Sequence, residues 1–262
     1  LHMSPLSQRE IMGADCVPFT TNMKTLIDEC RKMPPVDTPK LFERIWRGSM
    51  PGIVSGLYTD RNMYYSSYLS TYVERDVRDI SGTVDALKFN RFITAVAART
   101  SQLLNYNALA EDAEIDIQTS KAWINILETI GIIFLLHPYS NNVLKRTIKT
   151  PKVYFYDTGL VCYLTKWSSP EVAASGAMSG ALLENFTVSE IVKGYQNAGL
   201  EPYLYFYRDR DAKEIDVIME GDGKLYPLEI KKTATPDRRI LRTFGVIDKS
   251  PLQIGTGAVL CM

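Results

Sequence analysis

The sequence predicts a mixed α+β / α/β chain of several domains. These are an N-terminal helical segment (1–82), a winged helix (83–156) and an α/β domain (157–262). Three observations carry this reading. Apolar residues recur at three-to-four spacing through most of the first 130 positions. Short strand-like runs follow, "IIFLLHPY" and then "KVYFYD". Finally, the long helical stretch "GALLENFTVSEIVKGYQNAG" precedes "EPYLYFYRD", "EIDVIME" and "LYPLEIKK", an α-β-β-β order that reads as α/β.

In the first segment, "KMPPVDTP" is a proline-rich break, and what precedes it is too short to bury its own core. "KLFERIWRG" is an amphipathic helix stopped by Gly48. "NMYYSSYLSTYVERDVRDI" places Tyr64, Tyr65, Tyr68, Leu69, Tyr72 and Val73 on one stripe. Such a stripe can stack bases, but it reads first as core. "VERDVRD" reads as a solvated, charge-paired face.

The middle segment opens with "ALKFNRFITAVAART", a helix with Phe89, Phe92, Ile93 and Val96 on one face. "YNALAEDAEID" is a short helix and turn. "IQTSKAWINILETIG" is a third helix, with Thr119 placed to cap it, Trp123, Ile126, Leu127 and Ile130 lining a face, and Gly131 ending it. Two strands complete the winged-helix order. The N-terminal residues of the last helix would read a major groove: Gln118, Thr119, Ser120 and Lys121. Lys145, Arg146, Lys149 and Lys152 would lie on the wing near phosphates. The alternative use of this unit is an interface between proteins or domains.

Composition narrows the function classes. The 262 residues are 45% hydrophobic and 23% charged, as in a soluble globular protein, and 30 basic residues balance 30 acidic ones. Nucleic-acid binding would therefore need a local basic patch. No run of 18 apolar residues exists to cross a membrane, and no secretory signal is visible. Cys16, Cys30, Cys162 and Cys261 lack zinc or disulfide spacing and fit a reducing cytoplasm. His2 lies in "LHM", which resembles a cloning scar. That leaves His137 as the only native histidine and argues against a histidine-based metal site or triad.

The residues that carry chemistry lie near the C-terminus. Asp216, Glu229 and Lys231 sit inside strand-like runs joined by a Gly-Asp-Gly turn. Charges bound for a core are costly unless paired or bound to metal. Glu229 and Lys231, two apart on a strand, face the same way, and Asp216 lies on the neighbouring strand. With Glu184 from the preceding helix, Asp216 and Glu229 would hold Mg²⁺ through hard oxygen ligands, and Lys231 would orient water or stabilise phosphate charge.

This constellation resembles the PD-(D/E)xK nuclease superfamily: Glu184 in "GALLEN", Asp216 in "EID", and Glu229 with Lys231 in "EIK". The proline that often precedes the aspartate is replaced by Glu214-Ile215. The resemblance implies a restriction-endonuclease-like fold for 157–262, with Glu184, Asp216, Glu229 and Lys231 as catalytic residues. Further stretches ("PLSQREIMG", "LFERIWRGSMPGIV", "YLSTYVERDVRDI", "TPKVYFYDTGL") extend the likeness over nearly the whole chain. Together they resemble the C-terminal region of a prokaryotic AAA+ ATPase family, in which a P-loop core precedes a winged-helix segment and a nuclease-like domain of unknown function.

No G-x-x-x-x-G-K-[ST] occurs, so no ATP-binding residues are expected here, and the chain is expected to begin just after an ATPase core. The expected function is a DNA-associated, Mg²⁺-dependent phosphodiesterase attached to that ATPase. The alternative is a non-catalytic DNA- or protein-binding module on a nuclease-like scaffold. Exposed apolar surface is expected in 1–82, covered by the ATPase core or by a homo-oligomer. For Asp157 in "YDTGL" the residues suggest an N-cap or turn role.

Overall fold

The computed structural model of the chain describes residues 4–73, 75–77, 85–140, 149–209, 211, 213–247 and 250–262. It is mixed α/β. Near the N-terminus, α1 (Gln8–Ile11) is closed by a reciprocal capping box between Ser7 and Glu10. Next, α2 (Met23–Lys32) is capped by Asn22 and buries none of its residues. Helix α3 (Thr38–Arg47) starts at Asp37 with Pro39 in its first turn, buries Phe42 and Ile45, and ends at Gly48, φ +83°. A short α4 (Pro51–Val54) follows. Helix α5 (Arg61–Tyr68), capped by Asp60, continues as a π-turn over Leu69–Val73. Tyr65 of the aromatic stripe is fully buried, so that stripe contributes to the core. Met23, Ile27, Leu57 and Met63 are exposed.

Three helices come next: α6 (Ala86–Ala98), α7 (Tyr106–Ala113) and α8 (Ile117–Thr129). Strand β1 (Ile133–Leu136) then pairs antiparallel with β2 (Lys152–Phe155). Trp123 of α8 meets Phe89 and Phe92 of α6 edge-on, with ring centroids 5.3 and 5.2 Å apart. The cap of α8 is Asp116, not Thr119. Asp116 accepts from the Thr119 N–H at 2.9 Å and from its hydroxyl at 2.6 Å, because the helix begins one turn earlier than threonine capping would require. Gly131, φ +73°, lies just beyond the helix end, as expected.

The remainder holds α9 (Thr158–Leu164), α10 (Pro170–Ser175), α11 (Ser179–Asn197) and a five-stranded sheet. The sheet contains β3 (Leu204–Arg208), β4 (Glu214–Gly221), β5 (Lys224–Lys231), β6 (Gln253–Ile254) and β7 (Ala258–Cys261). Strands β3, β4 and β5 are antiparallel neighbours; β6 and β7 both pair parallel with the far edge of β5. Asp222 and Gly223, both with positive φ (51° and 70°), make the two-residue turn between β4 and β5. A 3₁₀ segment, Arg238–Ile247, covers part of β4.

One core cluster runs from Phe42 to Ile230 and draws on the helices from α3 to α11. A smaller one (Tyr139, Ile215, Ile218, Leu225, Ile247) lies on the other sheet face. Asn185 of α11 imitates a strand neighbour: it accepts from the Phe155 N–H and donates to the Phe155 carbonyl, both at 2.8 Å. That fixes α11 against β2.

Asp157 ties the helical segments together. It caps α9 through the Leu160 N–H (2.7 Å) and accepts the Tyr65 hydroxyl (2.6 Å) and the Ser49 N–H (2.6 Å). A side chain on Gly48 or Gly159 would collide with that Tyr65 hydroxyl, so both positions demand glycine. The "YDTGL" stretch is therefore a structural hub in which N-capping is only one role. Asp157→Ala leaves the buried Ser49 and Leu160 N–H groups without their acceptor and leaves the Tyr65 hydroxyl only its longer bond to the Arg47 carbonyl. It is expected to lower unfolding free energy by about 3–5 kcal/mol in urea titration, with Asp157→Asn losing less.

Candidate functional site

Three pairs of charged or polar residues two positions apart converge where β2, α11, β4 and β5 meet: Lys152/Tyr154, Glu214/Asp216 and Glu229/Lys231. The geometry divides them into two groups. In the first, the Lys152 ammonium, 3% exposed, pairs with Glu184 Oε1 at 2.9 Å and Glu214 Oε1 at 2.6 Å. The Tyr154 hydroxyl donates to the same Glu184 oxygen at 2.6 Å. In the second, the Lys231 ammonium pairs with Glu229 Oε2 at 2.5 Å and Asp216 Oδ2 at 3.2 Å. Asp216 Oδ2 also accepts the Ile230 N–H at 2.8 Å.

Strand alternation explains the division. Leu228 and Ile230 join the main core and Leu225 the second, so Glu229 and Lys231 project away from the main core that α11 packs on. Asp216 sits at a bulge. Tyr205 pairs with Ile218 and Tyr207 with Ile215, so four residues of β4 oppose three of β3. A bulge re-aims the side chain it carries. Here it brings Asp216 to Lys231 and Glu229 while leaving it close enough for its charge to act on Glu184.

Electrostatics follow from burial. Desolvation, reinforced by the charge of Asp216, pushes the Glu229 carboxyl up to about 7 against the opposing pull of Lys231. Desolvation also raises Glu184, with Lys152 opposing and Asp216 adding to the rise. Burial alone would lower the Lys152 pKa, but Glu184 and Glu214 outweigh it and hold the ammonium above its ordinary value.

Of the sequence-expected site residues, Asp216, Glu229 and Lys231 are brought together. Glu184 is not joined to Glu229 and goes to Lys152 and Tyr154. Lys152, expected on a wing near phosphates, is instead buried in an ion-pair bridge, because its ammonium meets Glu184 of α11 and Glu214 of β4. Among the described residues no three His, Cys, Asp or Glu side chains form a ready-made metal cluster. Asp216 and Glu229 do fit a cation of the Mg²⁺ type. They are two desolvated oxygen ligands side by side, and Mg²⁺ is commonly held by one or two carboxylates plus water and substrate phosphate.

At the helix proposed for a groove, Gln118 and Lys121 are exposed and Thr119 is half-buried. Ser120 is fully buried, its hydroxyl donating to the Tyr106 carbonyl at 3.1 Å, so it is not presented to a ligand. Lys149 is exposed; Lys145 and Arg146 lie outside the described residues. Sequence reasoning missed Lys152, Tyr154 and Glu214 as neighbours of the site. Their signal was the same two-residue spacing that marks Glu229 and Lys231. No helix among the described residues is long and apolar enough to cross a membrane. The cysteines are free: Cys162 is buried, the other three exposed.

Comparison with known proteins gives two family matches. Residues 38–171 match a domain of unknown function, DUF8612, and residues 179–262 match another, DUF4143. The uncharacterised proteins Mb2031c of Mycobacterium bovis and Rv2008c of Mycobacterium tuberculosis are each 28% identical over 197 residues. Those alignments cover 74% of this chain and 44% of each relative, so the chain spans less than half the length of the curated relatives it matches. No solved structure matches significantly.

Because Glu229 is protonated more readily in the folded chain than in an unfolded one, its ionisation disfavours folding. The penalty is absent below about pH 4.5, grows as pH rises, and is complete above about 7. Glu229→Gln is therefore expected to gain stability relative to wild type, by about 2 kcal/mol, between pH 5 and pH 7.5. Denaturant unfolding at both pH values checks the sign. An unchanged difference would place Glu229 in an ordinary carboxylate environment.

Proposed function

The chain belongs to the DUF8612 family, a name that assigns no chemistry, and we propose from its site that it is the C-terminal part of an AAA+ ATPase carrying a nuclease-type phosphodiester site. One observation carries the reading: Asp216 and Glu229 meet across β4 and β5 with Lys231 between them. The DUF4143 match agrees with the ATPase connection, since such domains occur in AAA-ATPase-associated C-terminal regions. The length of the relatives leaves room for an ATPase core outside this chain.

In this reading Asp216 and Glu229 would hold one divalent cation. When bound, that cation supplies Lewis-acid polarisation of the phosphodiester and a lower pKa for its water. The protein's own part is positional. The Ile230 N–H anchors Asp216 Oδ2, which fixes that carboxylate beside Glu229. Lys231 lies within reach of both carboxylates. With both carboxylates engaged by a cation, its ammonium would be free to meet phosphate oxygens on which negative charge develops. The exposed Gln118, Lys121 and Lys149 would supply contacts to DNA in a winged-helix arrangement of α6–α8 with β1 and β2.

A second reading is a non-catalytic DNA- or protein-binding module. It is favoured by the ion pairs themselves, since Lys152 and Lys231 already compensate the buried carboxylates.

Incubation of the chain with Mg²⁺ or Mn²⁺ and single-stranded, duplex or branched DNA separates the readings. The first expects metal-dependent cleavage that falls at least a hundredfold in Asp216→Ala and Lys231→Ala. Salt-dependent DNA binding with no cleavage of any substrate would establish the second instead.

A further inference from the structure

Lys152 belongs to the segment that matches one family, whereas both carboxylates it bridges belong to the segment that matches the other. A lysine buried this deeply is retained only where opposite charges repay its desolvation. Here they come from two different elements, Glu184 on α11 and Glu214 on β4. Tyr154, two residues along β2, closes on the same Glu184 oxygen. Asn185, next to Glu184, is locked to the Phe155 backbone. Glu184 is thus held from both sides of its own position, and it is held toward β2.

We propose that Lys152 is a positioning residue of the carboxylate site: it withholds Glu184 from the Asp216–Glu229 pair, so that a divalent cation meets two carboxylates and not three. The inference rests on the two-carboxylate reading of that site, but not on cleavage. Lys152 also offsets part of the charge of Glu184 and Glu214, the two glutamates it bridges. Without Lys152, Glu184 loses the partner that holds it toward β2 and, already close enough to feel the Asp216 charge, becomes available to a divalent ion as a third carboxylate.

Calorimetric titration with Mn²⁺ at pH 8, without DNA, tests this on wild type, Glu184→Gln, Lys152→Met and the double variant. Glu184→Gln is expected to leave Mn²⁺ affinity within twofold of wild type. Lys152→Met is expected to bind Mn²⁺ about tenfold more tightly, and the double variant to return toward wild type. Lys152→Arg keeps the charge and is expected to keep wild-type affinity. If Lys152→Met does not fold, Lys152→Met with Glu214→Gln removes one stranded carboxylate and is expected to show the same tightening.

A tenfold loss in Glu184→Gln alone would make Glu184 a ligand already and overturn the proposal. Unchanged or weaker binding in Lys152→Met, or no Mn²⁺ binding by any variant, would also overturn it. Failure of the nuclease reading looks different: the pattern of Mn²⁺ affinities holds while no DNA is cut.

Discussion

A carboxylate taken out of water must find a positive charge or a hydrogen-bond donor, and three buried clusters in this chain are arranged by that requirement. Asp157 solves it with neutral donors, the Ser49 and Leu160 N–H groups and the Tyr65 hydroxyl, and in doing so pins α3, α5 and α9 at one point. Glu184 and Glu214 solve it with Lys152. Asp216 and Glu229 solve it with Lys231 and the Ile230 N–H. The three solutions differ in consequence. Neutral donors make a rigid hub. Lysines make compensated charges that another cation can displace.

The second and third clusters communicate through Asp216. The β4 bulge turns this side chain toward Lys231 and Glu229, yet its charge still raises the Glu184 carboxyl on the other side. Burial lifts Glu229 to about 7 because Lys231, half-exposed, repays only part of its desolvation. A pair of carboxylates so poised suits a ligand that brings two positive charges. The same pair, left to Lys231, is stable enough to persist as scaffold. Protein function rests on which of these the site uses, and fold alone does not decide it.

Much of this was legible from the sequence, where local rules govern. Gly48 and Gly131 mark the ends of α3 and α8, each with positive φ. The Asp222–Gly223 turn and the paired strands around it followed from the Gly-Asp-Gly stretch between two strand-like runs. That Glu229 and Lys231 share a face, with Asp216 on the neighbouring strand, followed from period-two geometry. What failed depended on distant chain. Lys152 stands beside Lys149 and a basic loop in sequence, so it read as a phosphate contact, but its environment is set by Glu184 and Glu214, 32 and 62 residues on. The bulge that re-aims Asp216 has no glycine or proline to announce it. The hub at Asp157 requires Ser49 and Tyr65, 108 and 92 residues away, and only its capping of α9 was local. Thr119 was misread as a cap because Asp116, one turn earlier, offers the stronger acceptor at the true helix start.

The most direct test of the account is anomalous diffraction from crystals soaked in Mn²⁺. The account predicts one peak within about 2.0–2.6 Å of an oxygen of Asp216 and an oxygen of Glu229. Lys231 would be drawn off its two carboxylates, and Glu184 would still be held by Lys152 and Tyr154. A peak ligated by Glu184 and not by Glu229, or no peak at this pair under saturating Mn²⁺, would contradict it.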